Sequence, residues 1–114
     1  MKVDPLLDRA AKAVLGKKAN EVVILDLRKD ASFTDYFLLA SGTNQKQILA
    51  MADAVLEALR EEGVRPAHLE GYPRQEWILL DYGSFVVHIF TPKTRAFYDL
   101  ERLWGGARRL EVTG

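Results

Sequence analysis

The sequence predicts an α/β protein of the α+β kind, with a mixed five-stranded sheet flanked by helices. Three observations predict it. Runs of β-branched, leucine and aromatic residues of strand length recur at 21–27, 35–40 and 76–90. Between and before them lie stretches with apolar residues at helical spacing, at 4–16 and 45–62. A tight Ser41-Gly42 turn leads from one strand straight into the longer helix, the strand-turn-helix order of sheets covered by helices.

The elements follow in order. In 4–16, Leu6, Leu7, Ala10, Ala11, Val14 and Leu15 form one apolar face, with Asp8 and Lys12 four residues apart on the wet side. Asp4-Pro5 suits a cap and first turn, and Gly16 a stop. The run 21–27 is apolar enough for a well-covered central strand, and 35–40 supplies a second. Asn44 and Gln47, three apart, form a capping-box pattern for the helix at 45–62, whose core stripe is Ile48, Met51 or Ala52, Val55, Leu56 and Leu59. Residues 66–70 allow a short strand near an edge, because a proline opens it. The stretch 76–90 reads as two strands joined through Asp81-Tyr82-Gly83-Ser84. Thr91-Pro92 caps a last helix over 92–103, with Phe97, Leu100, Leu103 and Trp104 expected to pack inward. The domain therefore spans 1–104. Residues 105–114, with little apolar material, are expected to be a flexible tail.

A chain of 114 residues is enough for one core. It has no cysteine, which removes disulfides and thiolate chemistry, and only two histidines, which leaves little for a zinc site. No run approaches the roughly 20 apolar residues of a membrane span, and Asp4 and Pro5 argue against a secretory leader, so the expected compartment is the cytoplasm. Sixteen basic and sixteen acidic residues give a formal net charge of zero, unlike proteins that hold nucleic acid mainly by its phosphates. Direct RNA binding would require Lys17, Lys18, Arg108 and Arg109 on one face.

Enzymatic readings find little support. Ser41-Gly42-Thr43-Asn44 could cradle an anion at a helix start, but it lacks the lysine and glycines of a phosphate loop, and capping accounts for it. Metal-dependent phosphoryl or nucleotidyl transfer needs converging carboxylates. Asp26 is followed at the alternate position by Arg28, and an active site would require Asp26, Asp35 and Asp81 to meet near Ser41-Gly42. Ser32, Ser41 and Ser84 lack a nucleophile-elbow context. His88 shares a strand face with Val86 and Phe90, which suits a core-edge imidazole. Trp77 and Tyr82 suit a half-buried surface where a ring meets another molecule. Periodicity alone leaves Trp77 equally suited to anchoring the hairpin in the core.

The ordered set Asp35-Tyr36-Phe37, Ser41-Gly42, Gln47, Glu70-Gly71, Trp77, Leu80-Asp81-Tyr82-Gly83, Val87-His88, Phe90, Arg95 and the string from Tyr98 to Trp104 closely resembles the Iojap family. These are the bacterial ribosomal silencing factors (RsfS) and their organellar relatives, and the match runs in register from about Leu6 to Trp104. The resemblance implies a nucleotidyltransferase-like fold without the catalytic acids, no cofactor and no enzymatic activity. It further implies a cytoplasmic translational repressor, commonly a homodimer, that binds the large ribosomal subunit through its ribosomal protein number fourteen and blocks subunit joining. Any contact with ribosomal RNA would be peripheral. By position, the partner-binding residues are expected to be Trp77, Asp81 and Tyr82, with Leu80, Tyr72 and Glu70 nearby. Ser84 stands where the family commonly has aspartate, and Asn44 where it has serine.

Overall fold

A computed structural model describes residues 4–29, 33–71 and 76–112. Tyr72, with most of the expected turn at 29–32 and loop at 71–75, lies outside the described residues. The chain runs α1 (Pro5–Gly16), β1 (Asn20–Asp26), β2 (Tyr36–Ser41), α2 (Gln45–Arg60), β3 (His68–Glu70), β4 (Trp77–Asp81), β5 (Phe85–Phe90), α3 (Pro92–Tyr98), α4 (Leu100–Leu103) and β6 (Arg108–Glu111).

The strands form one mixed sheet in the order β3-β4-β5-β2-β1-β6. Only β2 and β5 run parallel, and α2 lies in the connection between them. The sixth strand corrects the expected count of five. Residues 108–111, expected to belong to a flexible tail for want of apolar material, pair antiparallel with β1, and Leu110 adds its side chain to the helix-covered core. Backbone pairing, the Leu110 contact and an ion pair from Arg109 to Glu101 hold a strand that composition does not announce.

Alternation assigns every strand residue to a face. Val22, Ile24, Tyr36, Leu38, Ala40, Ile78, Leu80, Phe85, Val87 and Ile89 meet Leu7, Ala10 and Val14 of α1 and Ile48, Met51, Val55 and Leu59 of α2 in the main core. Both helices begin as their sequences predict. The Asp4 carboxylate accepts the Leu6 N–H at 2.8 Å, and the Asn44 side chain accepts the Gln47 N–H at 2.8 Å. The capping box is shifted by one residue, because Gln47 Oε1 accepts from the Thr43 N–H, not from that of Asn44. Gly42 lets α2 close on the sheet: a Cβ there would lie 2.9 Å from Ile48 Cγ1.

The opposite face carries a smaller core of Val23, Leu25, Leu27, Phe37, Leu39, Val86 and Phe90, with Leu100 and Trp104 packed on it. The expected single helix over 92–103 is broken. Asp99 adopts a left-handed backbone, φ +48°, and divides α3 from α4. Asp tolerates that region better than most residues, and the break turns Phe97 and Leu103 outward where they were expected to pack inward. Leu100 and Trp104 do pack inward.

Candidate protein-docking face

The second sheet face ends in a strip that α3 and α4 leave open. On β4, Trp77, Leu79 and Asp81 point to it, while Ile78 and Leu80 point to the helices. Across the ladder, Glu70 of β3 pairs with Leu79 and His68 with Asp81, so Glu70 and His68 extend the same strip at the sheet edge. Gly71 brings the chain close to β4. It has φ +82°, and a Cβ there would fall 1.8 Å from the Trp77 carbonyl oxygen, so the position admits only glycine.

Trp77 lies half in and half out of this surface. Its indole N–H donates to His88 Nδ1 at 3.1 Å, and its ring meets Tyr98 at 4.5 Å and Phe90 at 6.0 Å between centroids. Trp77 is thus packed on one side, as a hairpin anchor would be, and keeps part of its ring accessible. The bond also assigns the histidine. Nδ1 accepts, so the imidazole is neutral and carries its proton on Nε2. Nε2 is buried and has no hydrogen-bond partner among the described residues. Burial pushes the pKa of His88 down to about 3, which is the behaviour of a core-edge group and not of a base working near neutrality.

The remaining expected contacts divide. Asp81 is half-buried on the open face, where one carboxylate oxygen accepts the Gly83 N–H at 2.8 Å and closes the turn. Glu70 is exposed beside Leu79. Leu80 is fully buried beneath the helices, so it contributes to the core and not to a surface. Tyr82 stacks on Phe85 at 5.2 Å on the helix-covered side. Its hydroxyl is buried without a partner among the described residues, and burial raises its pKa to about 12. A strand reverses its side chains at each step, so neither Leu80 nor a ring turned toward Phe85 shares the face of Trp77.

The residues that sequence reasoning missed are Leu79, Phe33, Phe97, Tyr98 and Leu103. Phe97 is 79% exposed, Leu103 70%, Phe33 61% and Tyr98 51%. Phe33 touches Trp104, Tyr98 touches Trp77, and an open cleft beside Trp77 is lined by Glu76, Lys93, Thr94, Phe97 and Tyr98. Large apolar side chains left exposed in one region mark a contact surface. For Leu79 a signal existed: it lies two residues from both Trp77 and Asp81. For Phe97, Tyr98 and Leu103 the signal was hidden by the break at Asp99, and Phe33 lies in the connection before β2, where no periodicity applies.

The geometry does not assemble the alternative sites. Asp26 and Asp81 point to opposite faces of the sheet. Both lie at the end of the sheet away from Ser41-Gly42, roughly 17 Å along β2. Both oxygens of Asp26 are occupied by Arg28, at 2.9 and 2.7 Å, and this pairing holds its pKa below the usual carboxylate range. Among the described residues no group of three His, Asp or Glu side chains is placed to hold a metal ion. The basic pairs are also apart. Lys17 and Lys18 follow α1 at the Asn20 end of β1, and Arg108 faces Asp26 at the other. Arg109, on the opposite face from Arg108, is tied to Glu101 and Glu111.

A family model described as "Ribosomal silencing factor during starvation" matches residues 1–114. A protein of Halalkalibacterium halodurans named "Ribosomal silencing factor RsfS" is 40% identical, over 96% of this chain and 93% of its own length. The crystal structure of a Chromobacterium violaceum protein superposes with a TM-score of 0.87 at 33% identity, covering all of this chain and 95% of the other. A mouse protein named "Mitochondrial assembly of ribosomal large subunit protein 1" is 28% identical over 86% of this chain and 44% of its own length.

Proposed function

The chain belongs to the ribosomal silencing factor family, and from that premise we propose that it is a translational repressor that docks on the large ribosomal subunit. The docking partner in this reading is ribosomal protein number fourteen of that subunit, and the consequence is steric: the domain occupies space that the small subunit needs for joining. No covalent chemistry or cofactor enters. The scaffold is read as nucleotidyltransferase-like, with Asp26 engaged by Arg28 instead of a metal. The chain acts in the cytoplasm, and its exposed rings suit a homodimer when the ribosome is absent.

The observation that carries the reading is the open strip itself. Trp77, Tyr98, Phe97 and Leu79 supply apolar contact area, and Asp81 and Glu70 place negative charge at its margin. Aromatic side chains held by packing are the usual centres of protein interfaces, and rim carboxylates set register and on-rate with a basic partner. A standard interface buries roughly 1,200–2,000 Å² in total, within reach of one face of a domain this size. The large subunit, not the ribosome in general, is the target because a chain of zero net charge has no broad attraction to RNA.

Co-sedimentation at moderate salt tests the proposal. The expected result is association with isolated large subunits and with the isolated ribosomal protein, none with small subunits, and a loss of about thirtyfold, or 2 kcal/mol, on Trp77→Ala. Equal binding to both subunits overturns it.

A further inference from the structure

α3 is held to the sheet in an unusual way. Of its seven residues only one is buried, and that one is Arg95, 5% exposed. α4 buries none of its residues fully. What fixes the pair, besides the half-buried Leu100 and Trp104, is the Arg95 guanidinium. One arm, Nη1, donates to the Glu21 carbonyl at 2.7 Å and to the Ser41 hydroxyl at 2.9 Å. Nε donates to Glu101 Oε1 at 2.8 Å, and the other oxygen of Glu101 accepts from Arg109 of β6. The guanidinium also lies over the Phe90 ring, 5.6 Å from its centre.

These contacts converge on two irregular points of backbone. Glu21 has φ +50° at the register shift that begins β1, and Asp99 has φ +48° between α3 and α4. Non-glycine residues hold such angles only where the surroundings enforce them. Arg95 binds the carbonyl of the first and, through Glu101, the helix that follows the second. Tyr98 sits at the end of α3, against Trp77. The relay therefore decides where Tyr98 and Phe97 stand relative to β4.

We infer that Arg95 and Glu101 are positioning residues for the docking face, a latch that keeps α3 and α4 in the pose where Tyr98 covers one side of Trp77 and Phe97 and Leu103 face outward. The inference rests on the docking reading for its functional half and on the contacts above for its structural half. The latch is local. Arg95 meets Ser41 and Phe90, which pair with each other and lie on the face opposite the α1–α2 core, so releasing it is expected to loosen that face first. It is also sensitive. Deprived of Glu101, the buried guanidinium would keep only the exposed Glu21 carboxylate, 3.9 Å away, and Nη2 already lacks a partner among the described residues.

The test compares the unsubstituted chain with Arg95→Met, Arg95→Lys and Glu101→Gln in three measurements. In hydrogen exchange, the substitutions should lower protection of amides in 94–104 by about tenfold or more while β2 and β5 keep theirs. In a Trp104→Phe background, where Trp77 is the only tryptophan, its emission should shift to the red as Tyr98 leaves. Affinity for isolated large subunits should fall by about tenfold. Arg95→Lys should not rescue it, because one ammonium cannot serve acceptors spread around a planar fork. Glu101→Gln keeps size and one acceptor, and it carries the test if Arg95→Met fails to fold. Protection lost evenly across the sheet would make Arg95 a general core residue, and protection unchanged in 94–104 would abolish the latch. Local loosening with undiminished affinity would separate the latch from docking. If the unsubstituted chain binds no large subunit, the docking reading falls, and exchange and fluorescence judge the latch alone.

Discussion

Acid should weaken this fold through one residue, before the carboxylates begin to titrate. His88 is 3% exposed, receives the Trp77 indole proton on Nδ1, and has its pKa pushed down from 6.5 to about 3 by burial. In the unfolded chain the imidazole titrates near its ordinary value. Between those two pKa values the unfolded chain binds a proton that the folded chain refuses, so stability is complete above about pH 6.5 and declines as pH falls toward 3. Linkage gives a loss of about 2 kcal/mol between pH 7.5 and pH 5, and roughly 5 kcal/mol over the whole window, to order of magnitude. Asp26 and Glu101, held low mainly by hydrogen bonds from Arg28 and Arg95 respectively, add to the loss only below about pH 5. The decline from 7.5 to 5 is therefore assigned to His88. Urea titrations at half-unit pH steps measure it, with an expected fall in midpoint of roughly 1–2 M by pH 5 for a slope of about 1–2 kcal/mol/M. His88→Leu, close in volume and unable to ionise, should flatten the profile across that interval. A flat profile in the unsubstituted chain, or the same slope in His88→Leu, refutes the assignment.

Two further outcomes follow from the faces of β4 and its turn. Leu80→Ala should cost about 2–5 kcal/mol of stability with unchanged affinity of the folded fraction, whereas Leu79→Ala should cost less stability and weaken large-subunit binding, as chemical denaturation and co-sedimentation would show. Ser84→Asp, which installs the charge common in the family, should lower stability by about 1 kcal/mol at low salt and less at high salt, because the Ser84 hydroxyl lies 3.4 Å from the Asp4 carboxylate that caps α1.

The helices that cover the main core were legible because their signals are local. Caps at Asp4 and Asn44 and apolar spacing in α1 and α2 need no knowledge of the rest of the chain. The central strands were legible because they are buried on both faces, as the unbroken burial of β2 and β5 shows. β6 failed for the opposite reason. Its Arg108, Arg109 and Glu111 carry charge suited to an exposed edge, and its existence depends on the free side of β1. The last helix failed at Asp99, where continuing the apolar spacing through a left-handed residue put Phe97 and Leu103 on the wrong side.

The docking face shows what kind of inference a sequence permits. Trp77, Leu79 and Asp81 are two apart, and parity alone places them together on any strand, just as it separates Leu80, three from Trp77. Grouping Leu80 with Trp77 followed motif proximity where strand geometry demanded alternation. Glu70 belongs beside Leu79 because of ladder register, which the local pattern of neither strand fixes. Tyr98 meets Trp77 at the end of α3, a helix that closes at Asp99 and is tied to the sheet by the buried Arg95. The surface thus has three layers of specification: side-chain parity, strand register, and a polar latch formed by residues distant in sequence. Only the first can be read without the fold. The last sets where Tyr98 and Phe97 stand beside Trp77, and under the proposed docking role it thereby shapes the surface offered to a partner.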